Sequence, residues 1–458
     1  MKSRRDFLKL MGMAMGASLS GCGSSSDVFA VGNTNLTPIA YRYIKLIKSG
    51  DPLPGGARLA SRLAYSLDST GDEPPPFMGA VSLTDSRHVY FHALDENQNR
   101  GIYRIDVDDD GARSEVKEII REGSVLPDGT VVKDFSDGDV NNGDDFLITV
   151  ENPEGTYSIQ YSDGGASFRS VVKSGGSLGN VKLAEDIDQY QSVADDGNVL
   201  FVAEFMDDEG DCQGEGLFLM PAGQPEQTER LLAKGDLLPG TSSVIETFGA
   251  AEIISGGVYI VQGSARPTSG PDPSGRPLTF LLRGTIGQTP ELLLLDPALG
   301  RTEQALRAGC LMCPRLGPNG AGFVLQTTIP DQTQLWVVGP STPRSSRRLG
   351  RAADISGGQG GRTQLSPRGA RILSILPPVF GPNGLLYFEV FTQQGMEIVV
   401  WDGSDAYTLL ARGDVVDGKT VETIIFGALP DCVNANGDFA AIVEFDDGET
   451  DVYLGIPV

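Results

Sequence analysis

Residues 232–240 read Leu-Ala-Lys-Gly-Asp-Leu-Leu-Pro-Gly: an apolar pair, a basic residue, Gly-Asp and a turn. The phrase returns at residues 47–55 and 410–418, with weaker copies at Gly123-Ser124, Gly175-Gly176, Leu295-Asp296 and Ala353-Asp354. The first residue of the central pair stands at positions 50, 123, 175, 235, 295, 353 and 413, so most copies lie about 60 residues apart. This spacing predicts a supersecondary unit that is used seven times.

A second phrase alternates with the first: an apolar residue, three further residues, a glycine and an apolar strand. It is clearest at residues 193–201, Val-Ala-Asp-Asp-Gly-Asn-Val-Leu-Phe, and at residues 380–388, Phe-Gly-Pro-Asn-Gly-Leu-Leu-Tyr-Phe. The further copies are at residues 142–146, 253–259, 316–323 and 433–439. In a degenerate seventh copy, Arg87 stands in the glycine position. Asn-Gly and Asp-Gly supply the positive φ angles that tight hairpin turns need, so we expect a strand on each side of every copy.

The segments between these phrases alternate or run apolar for four to eight residues, as strands do, and no useful helical periodicity occurs. Four strands in each of seven repeats are typical of a seven-bladed β-propeller with four-stranded blades. The chain opens with a lone strand at residues 41–47 and ends with one at residues 452–456 that lacks a successor. Pairing the first strand with the C-terminal blade would hide two sheet edges and close the ring. We therefore predict an all-β propeller over residues 41–458. An open solenoid or two β-sandwiches are the alternatives, and sandwiches would not explain the complementary ends.

Residues 434–440 read Asn-Ala-Asn-Gly-Asp-Phe-Ala. Together with the Gly-Asp turns, this segment resembles the repeats of exported bacterial "choice-of-anchor tandem repeat NxxGxxAF-containing" proteins. The resemblance covers residues 41–458, although most copies here replace the first Asn by Asp, Gly or Pro-Asn. It implies a repeat fold and export, and it brings no catalytic residue with it.

The first residues resemble a leader for export of a folded protein. Residues 3–9 read Ser-Arg-Arg-Asp-Phe-Leu-Lys, which is similar to the twin-arginine signal, and the residues that carry this likeness are Arg4, Arg5, Phe7 and Leu8. The apolar stretch at residues 10–17 is too short to span a bilayer. Residues 1–21 are therefore predicted to be a signal peptide.

Residues 19–22 read Leu-Ser-Gly-Cys and resemble the lipobox of bacterial lipoproteins. This implies that Cys22 carries a lipid and that residues 22–40 tether the protein to a membrane. Cleavage after residues 28–30, Val-Phe-Ala, is the alternative and would remove Cys22. We expect an exported protein on the periplasmic or cell-surface side. Gly23 resembles the sorting pattern of the outer membrane in a Gram-negative host.

The chain of 458 residues has 36 Lys and Arg against 61 Asp and Glu, a formal net charge of −25. Affinity for nucleic acid comes mainly from Lys and Arg that neutralise phosphates, so no nucleic-acid partner is expected. The same charge repels anionic headgroups, which leaves the lipid anchor as the expected membrane contact. We expect a monomer whose partner is a protein or a glycan. With two histidines only, His88 and His92, catalysis by several histidines is excluded.

Residues 106–111 read Asp-Val-Asp-Asp-Asp-Gly and match the start of a calcium loop. The candidate ligands are Asp106, Asp108 and Asp110, because alternate carboxylates can converge on a hard cation. Lys117 occupies the place of the usual bidentate glutamate, so a solvated acidic turn is the competing interpretation. Calcium is the one candidate cofactor, and no other cofactor motif is found.

Four cysteines follow Cys22. Cys310 and Cys313 form a Cys-x-x-Cys pair followed by Pro314, which excludes the histidine of a haem-attachment motif. A disulfide between them is the favoured interpretation for an oxidising compartment. Cys212 and Cys432 lie in other repeats, and four cysteines allow three pairings, so the connectivity stays open.

Two functions follow from this pattern. The first is a binding or scaffold propeller held in the cell envelope by lipid. The alternative is an envelope enzyme, a carboxylate-based glycoside hydrolase or lyase, with its site at the propeller channel. Two central carboxylates of raised pKa in a deep pocket would favour the enzyme. The recurring Asp of the Gly-Asp phrase has two interpretations as well: a cap on its own turn, or part of an acidic ring that attracts cations.

Overall fold

The computed structural model describes residues 39–60, 81–136, 138–164, 167–178, 181–206, 210–268, 278–296, 315–316, 323–329, 332–338, 350–351, 365–376, 379–381, 385–401, 406–426 and 432–458. These residues contain 32 strands and two short 3-10 helices, Pro54–Gly56 and Pro225–Gln227. The all-β expectation is confirmed. Over the same residues, no helix has the length and apolar character needed to cross a membrane.

The strands form seven sheets, numbered I to VII here in chain order. Strand β1 (Tyr41–Lys48) belongs to sheet VII. Sheet I contains β2 (Val81–Leu83), β3 (His88–Leu94), β4 (Arg100–Asp106) and β5 (Lys117–Arg121). Sheet II contains β6 (Asp134–Phe135), β7 (Asp139–Val140), β8 (Phe146–Glu151), β9 (Tyr157–Ser162) and β10 (Phe168–Lys173). Sheet III contains β11 (Ser177–Leu178), β12 (Val181–Val193), β13 (Val199–Met206), β14 (Cys212–Met220) and β15 (Glu229–Ala233).

Sheet IV contains β16 (Ser243–Ile254), β17 (Val258–Pro267), β18 (Leu278–Thr285) and β19 (Glu291–Asp296). The short strand β20 (Arg315–Leu316) is followed by β21 (Phe323–Ile329), β22 (Gln332–Val338) and β23 (Gly350–Arg351), which belong to sheet V. Sheet VI contains β24 (Ile372–Ile375), β25 (Val379–Phe380), β26 (Leu386–Thr392), β27 (Gly395–Trp401) and β28 (Ala406–Ala411). Sheet VII contains β29 (Val415–Val416), β30 (Lys419–Ile425), β31 (Phe439–Phe445) and β32 (Thr450–Pro457), with β1 at its edge.

The sheets divide between two compact units, one within residues 1–121 and 321–458 and one within residues 122–320. In the second unit, strand β13 shows how a sheet contributes to two cores. Phe201 and Ala203 belong to a buried cluster shared by sheets II and III, and Leu200 and Val202 to one shared by sheets III and IV. Because successive side chains of a strand point to opposite faces, a sheet buried on both faces needs a continuous apolar run.

The first unit repeats this arrangement. One buried cluster joins side chains of sheets VII and I, and a second joins sheets VI and VII. Strand β1 pairs antiparallel with β32, from Tyr41 opposite Pro457 to Lys48 opposite Asp451, with one irregularity between Lys45 and Ile47. The first described strand of the chain therefore completes the sheet formed by the last strands.

Candidate functional site

The second repeated phrase folds into one kind of five-residue turn, here called the sheet-end turn. It spans residues 84–88 in sheet I, 141–145 in sheet II, 194–198 in sheet III and 434–438 in sheet VII. In each, the first residue donates its N–H to the fifth and accepts an N–H from the fourth. The fourth residue has a φ between 58° and 80°; these residues are Arg87, Asp144, Gly197 and Gly437. Glycine adopts this conformation without steric penalty, whereas other residues must be held in it by their surroundings.

The side chain of Asn434 connects the sheet-end turn of sheet VII to that of sheet I. Its Oδ1 accepts two N–H groups of its own turn, both at 3.0 Å. Its Nδ2 donates to the carbonyl oxygen of Thr84 at 3.2 Å. In return, Asp85 Oδ1 accepts the N–H of Ala435 at 2.7 Å. A single buried amide therefore shapes one turn and binds the next sheet.

Asn141 does the same between sheets II and III. Its Oδ1 accepts two N–H groups of its own turn at 2.9 Å, and its Nδ2 donates to the Ala194 carbonyl oxygen at 2.8 Å. Asp195 Oδ1 accepts the N–H of Asn142 at 2.8 Å. The link therefore has the same donors and acceptors, at equivalent turn positions, as the link between sheets VII and I.

Two glutamates that lie on strands, outside the sheet-end turns, also connect consecutive sheets. Glu389 of β26 accepts the N–H of Phe426, the residue that follows β30 of sheet VII, at 3.0 Å. Glu215 of β14 accepts the N–H of Phe248 in sheet IV at 2.9 Å. Both phenylalanines begin the tripeptide Phe-Gly-Ala, at residues 248–250 and 426–428. Neither glutamate is predicted from the sequence, although the recurring tripeptide marks their partners.

The titration of both glutamates is shifted by burial. Burial raises the pKa of Glu389 to about 8, and the hydrogen bond from Phe426 counteracts this only in part. Burial also raises the pKa of Glu215, again opposed by the N–H that it accepts. A raised carboxyl pKa is one property of a general acid. In both residues, however, one carboxyl oxygen is already engaged by the backbone of the next sheet.

The aspartates of the Gly-Asp phrase cap their own turns. Asp51, Asp236 and Asp414 each accept the N–H of the residue three positions earlier, at 3.1, 2.7 and 2.9 Å. The capping interpretation is confirmed for these three residues. The side chain of Asp296 and the whole of Asp354 lie outside the described residues.

The three candidate calcium ligands make different contacts. Asp106 pairs with Arg104 Nε and Lys117 Nζ, both at 2.5 Å. Burial acts to raise the pKa of Asp106, but the hydrogen bonds from these two cations outweigh it and lower that pKa. Asp108 Oδ1 accepts an N–H of its own turn at 2.7 Å, and Asp110 is exposed.

Across the described part of the chain, no three His, Cys, Asp or Glu side chains are placed to hold a metal ion. The calcium loop at Asp106, Asp108 and Asp110 stays a prediction, in which a bound ion would compete with Arg104 and Lys117 for the carboxylate of Asp106.

An open cleft with a volume of about 40 Å³ lies beside sheet VI, lined mainly by Arg368, Arg412 and residues 394–397. Arg368 pairs with Asp414 at 2.8 Å, and Arg412 pairs with Glu422. Ligand pockets usually measure about 300–1,000 Å³. The cleft is smaller than that range, and both of its cations already have carboxylate partners.

Several predicted residues lie outside the described residues and stay predictions. They are the export-signal and lipidation residues and the cysteine pair: Arg4, Arg5, Phe7, Leu8, Cys22, Cys310 and Cys313. Of the remaining cysteines, Cys212 is exposed on β14 and Cys432 is buried.

No family model matches the chain, and no curated protein matches it. Among solved structures, the chain is similar to TolB from Acinetobacter baumannii, with 12% identity, a TM-score of 0.35 and coverage of 72% of this chain. It is similar to the Dos1 propeller, with 10% identity, a TM-score of 0.38 and coverage of 82% of this chain and 78% of that one. It is also similar to the polysaccharide lyase Uly1, with 10% identity, a TM-score of 0.48 and coverage of 92% and 100%. The chain spans 63% of the length of TolB.

Proposed function

We propose that the seven sheets are the blades of one closed β-propeller, and that this propeller is an exported, lipid-anchored binding or scaffold module of the cell envelope. The observation that carries the proposal is the repeated link between sheet-end turns. Asn434 reaches from the last sheet to the first just as Asn141 reaches from sheet II to sheet III. A ring needs the same link at its closure as between neighbouring blades, whereas an open array does not.

The use of the acidic side chains supports a framework function. The described aspartates of the Gly-Asp phrase cap turns, and Glu215 and Glu389 each hold an N–H of the following sheet. Side chains employed in this way rigidify the sheets and leave partner recognition to the exposed surface. A protein or a glycan remains the proposed partner, and a monomer the proposed state.

The binding proposal is tested by crosslinking in intact cells with a photoreactive residue placed at Leu237 or Val415, both more than 60% exposed. The control keeps residues 1–40 and replaces residues 41–458 by an unrelated folded domain. A partner that is captured reproducibly by the full chain and lost in the control would support the proposal. Capture of the same proteins by both would contradict it.

The alternative, a carboxylate-based glycoside hydrolase or lyase, is tested on the purified protein. Glu389, with its pKa of about 8, is the first residue to examine. Cleavage of envelope polysaccharides that is abolished by E389Q in a folded variant would replace the binding proposal by the enzyme. Absence of cleavage by the wild-type protein would leave the binding module in place.

Export and anchoring are tested separately. Incorporation of a labelled fatty acid that disappears in C22A would support lipidation at Cys22. Loss of export in the double variant R4K/R5K, with normal export of C22A, would support the twin-arginine route. Membrane retention of C22A without fatty acid would contradict the lipid anchor.

A further inference from the structure

Arg87 stands at the fourth position of the sheet-end turn of sheet I, with the left-handed φ of 58°. The equivalent residues are Asp144 in sheet II and Gly197 and Gly437 in sheets III and VII. Aspartate tolerates this conformation because its short polar side chain can form local hydrogen bonds, whereas arginine does not have that advantage. A side chain at this φ strains the backbone, because its Cβ crowds the neighbouring peptide group. Glycine would remove that strain, so the arginine side chain must contribute something that compensates for it.

That contribution is a contact with the last sheet. Arg87 Nε donates to Asp438 Oδ2 at 2.7 Å, and only 1% of the Asp438 side chain is exposed. The same oxygen accepts Asn434 Nδ2 at 2.9 Å. Arg87 Nη1 also donates to Asp109 at 3.1 Å, but Asp109 is fully exposed. A charge-assisted hydrogen bond to a buried carboxylate is stronger than an exposed ion pair. The contact with Asp438 is therefore the one expected to stabilise this conformation of Arg87.

The link between sheets II and III has the same carboxylate position, and no cation among the described residues contacts it. Asp145 is the fifth residue of its turn, as Asp438 is, and accepts Asn141 Nδ2 at 3.0 Å. A Cβ atom added to Gly197 would lie 3.8 Å from Asp145 Oδ2, so this glycine faces the carboxylate as Arg87 faces Asp438. The turns of sheets I and III therefore differ. The turn of sheet I places a charged side chain on the carboxylate of the adjacent turn, and the turn of sheet III places a glycine there.

We propose that Arg87 is an electrostatic latch that holds the sheet-end turn of sheet I against that of sheet VII. The guanidinium neutralises the buried carboxylate of Asp438, and the strained φ is retained because it aims the side chain across the junction. Loss of the latch opens the two turns locally while the sheets themselves stay folded. The inference concerns contacts within one compact unit and does not depend on the proposed function.

Hydrogen exchange of the full chain tests the latch in the variant R87G. We expect exchange in residues 84–88 and 434–438 to rise about 10- to 100-fold, because breaking a buried pair leaves a charge without its partner. Exchange in residues 141–145 and 194–198 is expected to stay unchanged and is the internal control. D109N is the matched control, with no expected effect, since that contact is exposed.

Unchanged or slower exchange in R87G would overturn the latch, because it would mean that glycine simply relieves the strain. If R87G does not fold, D438N gives the same comparison and overturns the latch if exchange at the junction does not rise. In the double variant R87G/D438N, exchange is expected to be slower than in R87G, because no charge is left buried alone. Additive effects of the two substitutions would contradict direct coupling.

Discussion

Asn434 and Asn141 show at the scale of single residues why asparagine suits the first position of a sheet-end turn. An amide offers one oxygen and two N–H donors on the same group. The oxygen satisfies two N–H groups of the turn, and Nδ2 is left to reach the carbonyl oxygen of the next sheet. Aspartate could shape the turn but could not donate to that carbonyl oxygen.

N434A removes this connector, and N436A is its matched control in the same turn. Asn434 is buried, whereas Asn436 is exposed and donates one bond, at 3.3 Å, to the Asp85 carbonyl oxygen. We expect N434A to lower the free energy of unfolding by about 2–4 kcal/mol and N436A by less than about 1 kcal/mol. Denaturant unfolding measures both. Equal effects would mean that the link to the next sheet contributes nothing.

The raised pKa of Glu389 predicts how the free energy of unfolding changes with pH. Between its ordinary pKa of 4.5 and the folded value of about 8, the folded protein retains a proton that the unfolded chain releases. The free energy of unfolding should therefore fall as pH rises through this window. E389Q keeps an oxygen for the N–H of Phe426 but cannot ionise.

Urea unfolding at several pH values across that window tests this effect. The fall should be smaller in E389Q, and E389Q should be the more stable protein at the alkaline end. E229Q, at an exposed position of strand β15, is the control and should follow the wild type. An E389Q profile that parallels the wild type would exclude Glu389 as the source.

At the scale of elements, two successive side chains in the Gly-Asp hairpins point in opposite directions, the first to solvent and the second into the core. The residue after Gly-Asp or Gly-Ser is exposed in three hairpins: Val125 at 67%, Leu237 at 63% and Val415 at 69%. The following residue is buried in each: Leu126, Leu238 and Val416. A bridge between Leu237 and Val244 fixes the pleat, and the pleat sends adjacent side chains to opposite faces.

Leu237 and Leu238 provide a matched pair of identical, adjacent side chains. L238A removes a fully buried side chain and should lower the free energy of unfolding by about 2–5 kcal/mol. L237A removes a mostly exposed one and should change it by less than about 0.5 kcal/mol. Thermal or denaturant unfolding distinguishes them. A large effect of L237A would show that its exposed side chain is covered in solution, for example by a second copy.

At the scale of the whole molecule, the ends of the described chain meet in sheet VII. Strand β1 hides one edge of β32, and Lys45 Nζ lies 2.6 Å from Asp451 Oδ2. The Asp451 side chain is fully buried, and burial raises its pKa against the contact with Lys45. The ion pair therefore ties the first strand to the last.

K45A tests how much this ion pair stabilises the folded protein, and K48A on the same strand is the control. Without Lys45, the buried carboxyl of Asp451 retains the Tyr453 hydroxyl at 3.3 Å, and we expect a loss of about 2–3 kcal/mol in the free energy of unfolding. Lys48 is 47% exposed and lies 3.8 Å from Glu449, so K48A should cost less than about 1 kcal/mol. Faster proteolysis near residue 48 in K45A only would add support. A loss no greater than that of K48A would contradict the role of the pair.

The strands and turns could be predicted from the sequence because their signals are local. Gly197 and Gly437 mark positive φ within a few residues of their strands, and the apolar runs around Phe201 reflect burial on both faces. The glutamates could not be predicted in the same way. Glu389 and Phe426 are 37 residues apart, and nothing local to either residue shows that one accepts the N–H of the other.

The sequence by itself therefore determined the repeat, the strand order within each sheet and the turn type, since these depend on backbone preferences and side-chain periodicity over short segments. Tertiary structure alone decided which side chains connect the sheets. It gave Arg87 a buried carboxylate partner 351 residues away, satisfied the carboxylate of Asp106 with cations, and buried Glu389. The reason is that desolvation and charge pairing depend on distances that only the packed sheets create.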